Sequence, residues 1–153
     1  MINKTNITRD DILDMSDYEQ IRDKRRAEIA KIKKNRRLAV GPHASFYFEC
    51  YQTMWYQIHE MLRIEKGGEC QIQDEIKVYN SLIPKGTELV ATVMFEIPDA
   101  QTFVMLEKEI KKYNLNFDIK SKQFKENIIE VNTILRLVPG DEVKHKMLTE
   151  INL

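Results

Sequence analysis

Side chains able to carry acid–base, metal or nucleophilic chemistry are few in this chain of 153 residues. Histidine occurs three times, as His43, His59 and His145, and cysteine twice, as Cys50 and Cys70. A zinc or iron site on a helix sets histidine against carboxylates at i, i+3 or i+4. His59 has Glu60 beside it and Arg63 four positions on, so that spacing is missing. Iron held by His43, His59 and Glu60, with Glu49 nearby, is the metal alternative; an ordinary hydrogen-bonded histidine is the simpler expectation, and no cofactor is predicted. No serine or cysteine stands in a nucleophile elbow, and five scattered glycines make no phosphate loop. Cys50 sits where a strand gives way to a helix, the position of a reactive thiol, although a small buried hydrophobe is its plainer role.

What remains is a set of polar residues at the edge of one helix and the basic run before it. Arg36, Arg37, Tyr56, His59, Glu60 and Arg63 form the candidate ligand-binding set, between a hairpin at 37–49 and a helix at 51–65. The arginines would hold an anionic small molecule and Glu60 could act as a base. The run Lys31-Ile-Lys-Lys-Asn-Arg-Arg37 also has a structural reason to exist. Cations at a helix C-terminus gain about 0.3–1 kcal/mol each from the helix dipole.

Charge narrows the partners. Lysine plus arginine and aspartate plus glutamate both number 24, which gives no reason to expect nucleic acid. Residues 1–37 carry net +4 and residues 38–153 net −4, an asymmetry that could steer an anion or draw copies of the chain into a homo-oligomer. Apolar runs fall far short of the roughly 20 residues that span a bilayer, so no membrane is expected. Met1–Asp17 has no apolar signal-peptide core, and two isolated cysteines build no disulfide framework. The expected location is a reducing cytoplasm.

The elements that must position these residues follow from period and punctuation. Thr8 and Asp11 have capping-box spacing and predict a short turn of helix over 10–15; Ser16 and Glu19 repeat it before a helix over 17–35. From Leu38 the period becomes two, and Gly41-Pro42 breaks it, predicting strands 37–40 and 45–49. Tyr51, Met54, Trp55, Ile58, Met61 and Leu62 recur at helical spacing and predict a helix over 51–65, stopped by Gly67-Gly68. A helix over 70–82, a strand over 87–97 and a helix after Pro98-Asp99 come next. Strands over 116–120 and 128–138 and a helix after Pro139-Gly140-Asp141 complete the chain. The fold class is α+β, a mixed or antiparallel sheet of about five strands backed by about five helices, in a single domain over 1–153.

Several strings carry a family resemblance. Thr8-Arg-Asp-Asp11, Lys33-Lys-Asn-Arg-Arg-Leu-Ala-Val-Gly-Pro42, Gln57-Ile-His-Glu-Met-Leu-Arg-Ile-Glu65, Tyr79-Asn-Ser-Leu-Ile-Pro-Lys-Gly86 and Leu89-Val-Ala-Thr-Val-Met-Phe-Glu-Ile-Pro-Asp99 occur in order. They resemble bacterial proteins of the domain of unknown function 3501 family over residues 7–100, with departure after Ala100 into a shortened or diverged part over 101–153. The resemblance implies no assigned activity. It does imply a setting, because such genes often neighbour rubrerythrin-like and iron–sulfur oxidoreductase genes. The expected function is a non-catalytic accessory or interaction domain with a redox protein as partner; the alternative is a small-anion-binding protein or enzyme using the set above.

Overall fold

Helices form among the described residues where apolar residues return every third or fourth position. The computed structural model describes residues 4–99, helical positions 101, 102, 104, 105 and 108, and strand residues 121–125 and 128–137. Helix α1 spans Met15–Lys34, α2 Tyr51–Glu65 and α3 Gly68–Asn80. On α2, Met54, Ile58 and Leu62 are buried at i, i+4 and i+8 together with Thr53 and His59, a stripe that faces the core. Lys66 ends the helix in the left-handed conformation (φ 54°), its N–H donating to the Leu62 carbonyl at 3.0 Å. The stop therefore comes one residue before the glycine pair. Gly67 opens α3 instead, its N–H held by Gln71 Oε1 at 2.7 Å.

Both capping signals mark real elements, but with bounds other than those expected. Asp11 does bind back to Thr8, its carboxylate accepting the Thr8 N–H at 2.9 Å. The result is only a 3-10 turn over Arg9–Asp11, after which Ile12 is extended and buried. Helix α1 starts at Met15 because Asp14 is already its capping residue, with the Tyr18 N–H donating to the Asp14 carbonyl at 2.9 Å. Ser16 and Glu19 thus lie inside the first turns. Tyr18 and Ile29 are the buried residues of α1, while Ile21 and Ile32 are half-buried and Ala30 is exposed.

The strands are β1 (Arg37–Val40), β2 (Ala44–Phe48), β3 (Leu89–Ile97), β4 (Ser121–Lys125) and β5 (Ile128–Leu137). Their order across the sheet is β1-β2-β3-β5-β4. β1 and β2 pair antiparallel in register Arg37↔Tyr47 to Val40↔Ala44, and β2 and β3 pair antiparallel from Ala44↔Phe95 to Phe48↔Ala91. The β1–β2 turn needs Gly41, whose φ of 61° is costly for a residue with a Cβ. In β3, Ala91, Val93, Phe95 and Ile97 alternate into the core as the period of two requires. Val90 is buried as well, and Leu89 is 54% exposed.

The chain belongs to the α+β class, and it divides into two compact units. One comprises Met1–Arg36 with Glu49–Val90, the other Arg37–Phe48 with Ala91–Leu153. The first holds α1, α2 and α3, and its N-terminal segment is tied to the end of α3 by a reciprocal pair. The Ile7 N–H donates to Asn80 Oδ1 at 2.7 Å, and Asn80 Nδ2 donates to the Ile7 carbonyl at 2.8 Å. In the second unit Asp99 caps a helical segment, accepting the Thr102 N–H at 2.8 Å and its hydroxyl at 2.7 Å. The expected strand over 116–120 and the helix after Pro139 lie outside the described residues.

Ile58 is fully buried at the centre of the α2 stripe. Ile58→Ala is expected to cost about 2–5 kcal/mol in denaturant unfolding. Val78→Ala, at a side chain 50% exposed on α3, should stay within about 0.5 kcal/mol.

Candidate functional site

Trp55 and His59 stand one turn apart on α2 and stack on each other, ring centroids 3.9 Å apart. Tyr18 of α1 closes the cluster, 4.7 Å from His59 and 6.0 Å from Trp55 in an edge-on contact. Both α2 rings then reach the backbone that follows the 3-10 turn. Trp55 Nε1 donates to the Asp11 carbonyl at 2.7 Å, and the Leu13 N–H donates to His59 Nε2 at 3.1 Å. His59 Nδ1 lies 2.8 Å from the Trp55 carbonyl, which can only accept, so Nδ1 carries the proton. The imidazole is neutral, fully buried and bonded at both nitrogens. Burial, above all, pushes its pKa below the ordinary 6.5.

Glu60, the next residue, turns to the other side of the same seam. Its carboxylate takes a bidentate pair from Arg22, Nε to Oε1 and Nη2 to Oε2, both at 2.8 Å. Tyr18 also donates its hydroxyl to Oε1 at 2.8 Å. The Arg22 hydrogen bonds hold Glu60 below the usual carboxylate range, with burial opposing them. Burial and then the Glu60 acceptor push the Tyr18 hydroxyl well above its ordinary 10.0. Tyr56 is half-buried and also raised, by burial first and by the Glu60 charge second.

The remaining members of the expected set fall in separate places. Arg63 Nε donates to Glu19 at 2.6 Å, joining the far ends of α1 and α2. Arg36 is half-buried, its Nη1 3.4 Å from the Glu49 carbonyl oxygen. It lines a cleft of about 560 Å³ with Lys4 and the first turn of α2. Arg37 belongs to the second unit, where its guanidinium donates to Ser45 Oγ at 3.2 Å and lies 5.4 Å from the centre of the Tyr47 ring. His43 is in the β1–β2 loop, its carbonyl accepting the Glu96 N–H at 2.8 Å. Among the described residues no three His, Cys, Asp or Glu side chains gather closely enough to hold a metal ion. Cys50 is buried at the start of α2 and Cys70 is exposed.

Tyr18 and Arg22 were missing from the expected set. The signal that could have found them is their i, i+4 spacing on α1, which sets a hydroxyl and a guanidinium on one face to share one acceptor. Trp55, on the apolar spacing of α2, is only half-buried; its ring edge reaches the Asp11 carbonyl and Arg25 lies over its face at 5.4 Å.

The family described as "Protein of unknown function (DUF3501)" matches residues 6–139. The chain belongs to the DUF3501 family. The match continues well past Ala100, so the family pattern reaches further than the strings quoted above. The chain is also similar to the crystal structure of a novel protein of unknown function from Burkholderia pseudomallei K96243. It is 29% identical with a TM-score of 0.68, over 92% of this chain and 81% of that one. A second relative, a putative protein-export protein SecB of Pelagibacter ubique (strain HTCC1062), is 48% identical over 56 residues. That stretch is 37% of this chain and 40% of the relative, well under two thirds of its length. No helix of the described residues is long and apolar enough to cross a membrane.

Protonating His59 would place a second N–H against that of Leu13, so the folded state resists it. The unfolded chain binds that proton near pH 6.5 and the folded chain only lower. Stability should therefore fall as pH drops below 6.5 and keep falling until the folded value is passed, with Glu60 adding a second loss below its ordinary 4.5. Thermal melts across pH 4–8 check this: His59→Gln should lose the upper window and keep the lower one.

Proposed function

We propose that this DUF3501 chain is a non-catalytic accessory or interaction domain that works with a protein partner in a redox setting. One observation carries the reading: the acid–base groups of the candidate site are already committed inside the protein. His59 has no lone pair left to take a proton from a substrate, since Nε2 accepts from Leu13 and Nδ1 donates to Trp55. The Glu60 oxygens together accept three donors from Arg22 and Tyr18. A general base needs a free acceptor within about 2.6–3.2 Å of the proton it removes; His59 offers none, and the Arg22 ion pair holds Glu60 as a carboxylate below its ordinary range, a poor proton acceptor. The protein-directed role in the Pelagibacter relative's name supports a protein partner over a small substrate. The redox setting rests only on what the family resemblance implies, a neighbourhood of rubrerythrin-like and iron–sulfur oxidoreductase genes.

The test is native affinity purification of the full chain with mass spectrometry, followed by co-elution with the purified candidate. A stoichiometric oxidoreductase is the expected outcome. Recovery of no stable partner would discard the reading.

A small-anion-binding role is the second reading, and Arg36 is the observation that favours it. Its guanidinium has a long contact to a neutral carbonyl rather than a carboxylate, beside Lys4 in a cleft at the start of the 15-residue α2. Sulfate and citrate should then raise the melting temperature of the native chain, and Arg36→Ala should remove most of that rise. An Arg36→Ala shift equal to that of the unaltered chain would sink the idea.

A further inference from the structure

A second cleft in the helical unit has the form of a small-ligand site, and of the expected set only Arg63 lines it. It lies where the start of α1, the end of α2 and the start of α3 meet, with a volume of about 470 Å³, inside the range of about 300–1,000 Å³ usual for such sites. Leu13, Leu62 and Ile72 give it an apolar lining. Three cations stand around it, and they differ in how fully they are engaged. Arg9 is engaged through all three of its nitrogens: Nε and Nη2 donate to Glu69 at 2.7 and 3.0 Å and Nη1 to the Ile12 carbonyl at 3.2 Å. Arg63 is engaged only through Nε, to Glu19. Its two terminal nitrogens make no hydrogen bond among the described residues, nor does the ammonium of Lys66, a residue of the same lining.

The free end of Arg63 decides the chemistry. A guanidinium can bind one carboxylate along its Nε edge and a second across its two terminal nitrogens, the planar fork matching the two oxygens. Glu19 takes the first edge and leaves the second open. Charge decides how much anion the site can take. Arg9, Arg63 and Lys66 are balanced by Asp14, Glu19 and Glu69, all on the same lining, so there is no surplus field to hold a phosphate or a dicarboxylate. A molecule with a single carboxylate and an apolar body meets both conditions, its carboxylate on the Arg63 fork and its hydrocarbon against Leu13, Leu62 and Ile72. We propose that this cleft binds a small monocarboxylate with an aliphatic body, through the terminal nitrogens of Arg63 and the Lys66 ammonium. The proposal is independent of the partner assigned above.

Isothermal titration of the full chain with octanoate, with leucine and with octanol tests it. Octanoate and leucine share the carboxylate and the aliphatic body but come from different sources, a fatty acid and an amino acid whose ammonium would face Asp14. Binding of either, at least tenfold tighter than octanol, is expected, and the tighter of the two names the source. Arg63→Ala should weaken that binding at least tenfold, and Ile72→Trp, which fills the cleft from its apolar side, should abolish it. Circular dichroism melts establish that each variant is folded; if Arg63→Ala is not, Ile72→Trp alone decides. Neither carboxylate binding, octanol binding as tightly, or affinity unchanged by a folded variant overturns the proposal.

Discussion

The helical unit depends on one requirement: a fully buried imidazole must find one acceptor and one donor, in a fixed tautomer. His59 meets it by bonding the carbonyl of its own helix at Trp55 and the N–H of Leu13. The second bond fixes where the segment before α1 must run. Trp55 does the same one turn earlier through Asp11, so two adjacent side chains of α2 hold an irregular stretch of backbone in place. That stretch starts α1, and α1 then delivers Tyr18 onto the same rings and Arg22 onto Glu60. Neither arm can be loosened without leaving a buried polar atom unpaired, which costs about 1–3 kcal/mol per group.

Much of the helix and strand pattern was legible in the sequence because it is local. Helix α2 matches its predicted bounds, since its apolar stripe runs unbroken from Tyr51 to Leu62. The β1–β2 hairpin is placed by a period of two and by Gly41. Errors fall where a local signature competes with a distant partner. Thr8 and Asp11 form their cap, yet the turn stops after Asp11 because Leu13 is claimed by His59, 46 residues later. The candidate site was less legible for the same reason. Types and spacing identify Glu60 and Arg63 as charged edges of α2, but the Arg22–Glu60 pair joins residues 38 apart. No pattern within a single helix could show that Glu60 is already held.

That distinction bears on how polar residues in the DUF3501 family are to be read. A histidine, a carboxylate and an arginine along one helix look like a catalytic row when only their identities are known. Here His59 faces inward and neutral, Glu60 is ion-paired, and Arg63 keeps its terminal nitrogens free among the described residues. Neighbours in sequence thus differ in what they can offer a ligand, and the difference is set by partners on other elements.

The clasp between Ile7 and Asn80 has a consequence for the order in which the chain can assemble during synthesis. Its two halves are 73 residues apart, and the hairpin strands β1 and β2 lie between them in the sequence while belonging to the other unit. The N-terminal segment therefore waits on the ribosome for Asn80 to emerge, and β2 waits still longer for β3. Contacts of such high sequence separation slow folding because the loop must close before they can form. Neither unit is completed in the order it is translated, so the nascent chain passes residue 80 with both unfinished.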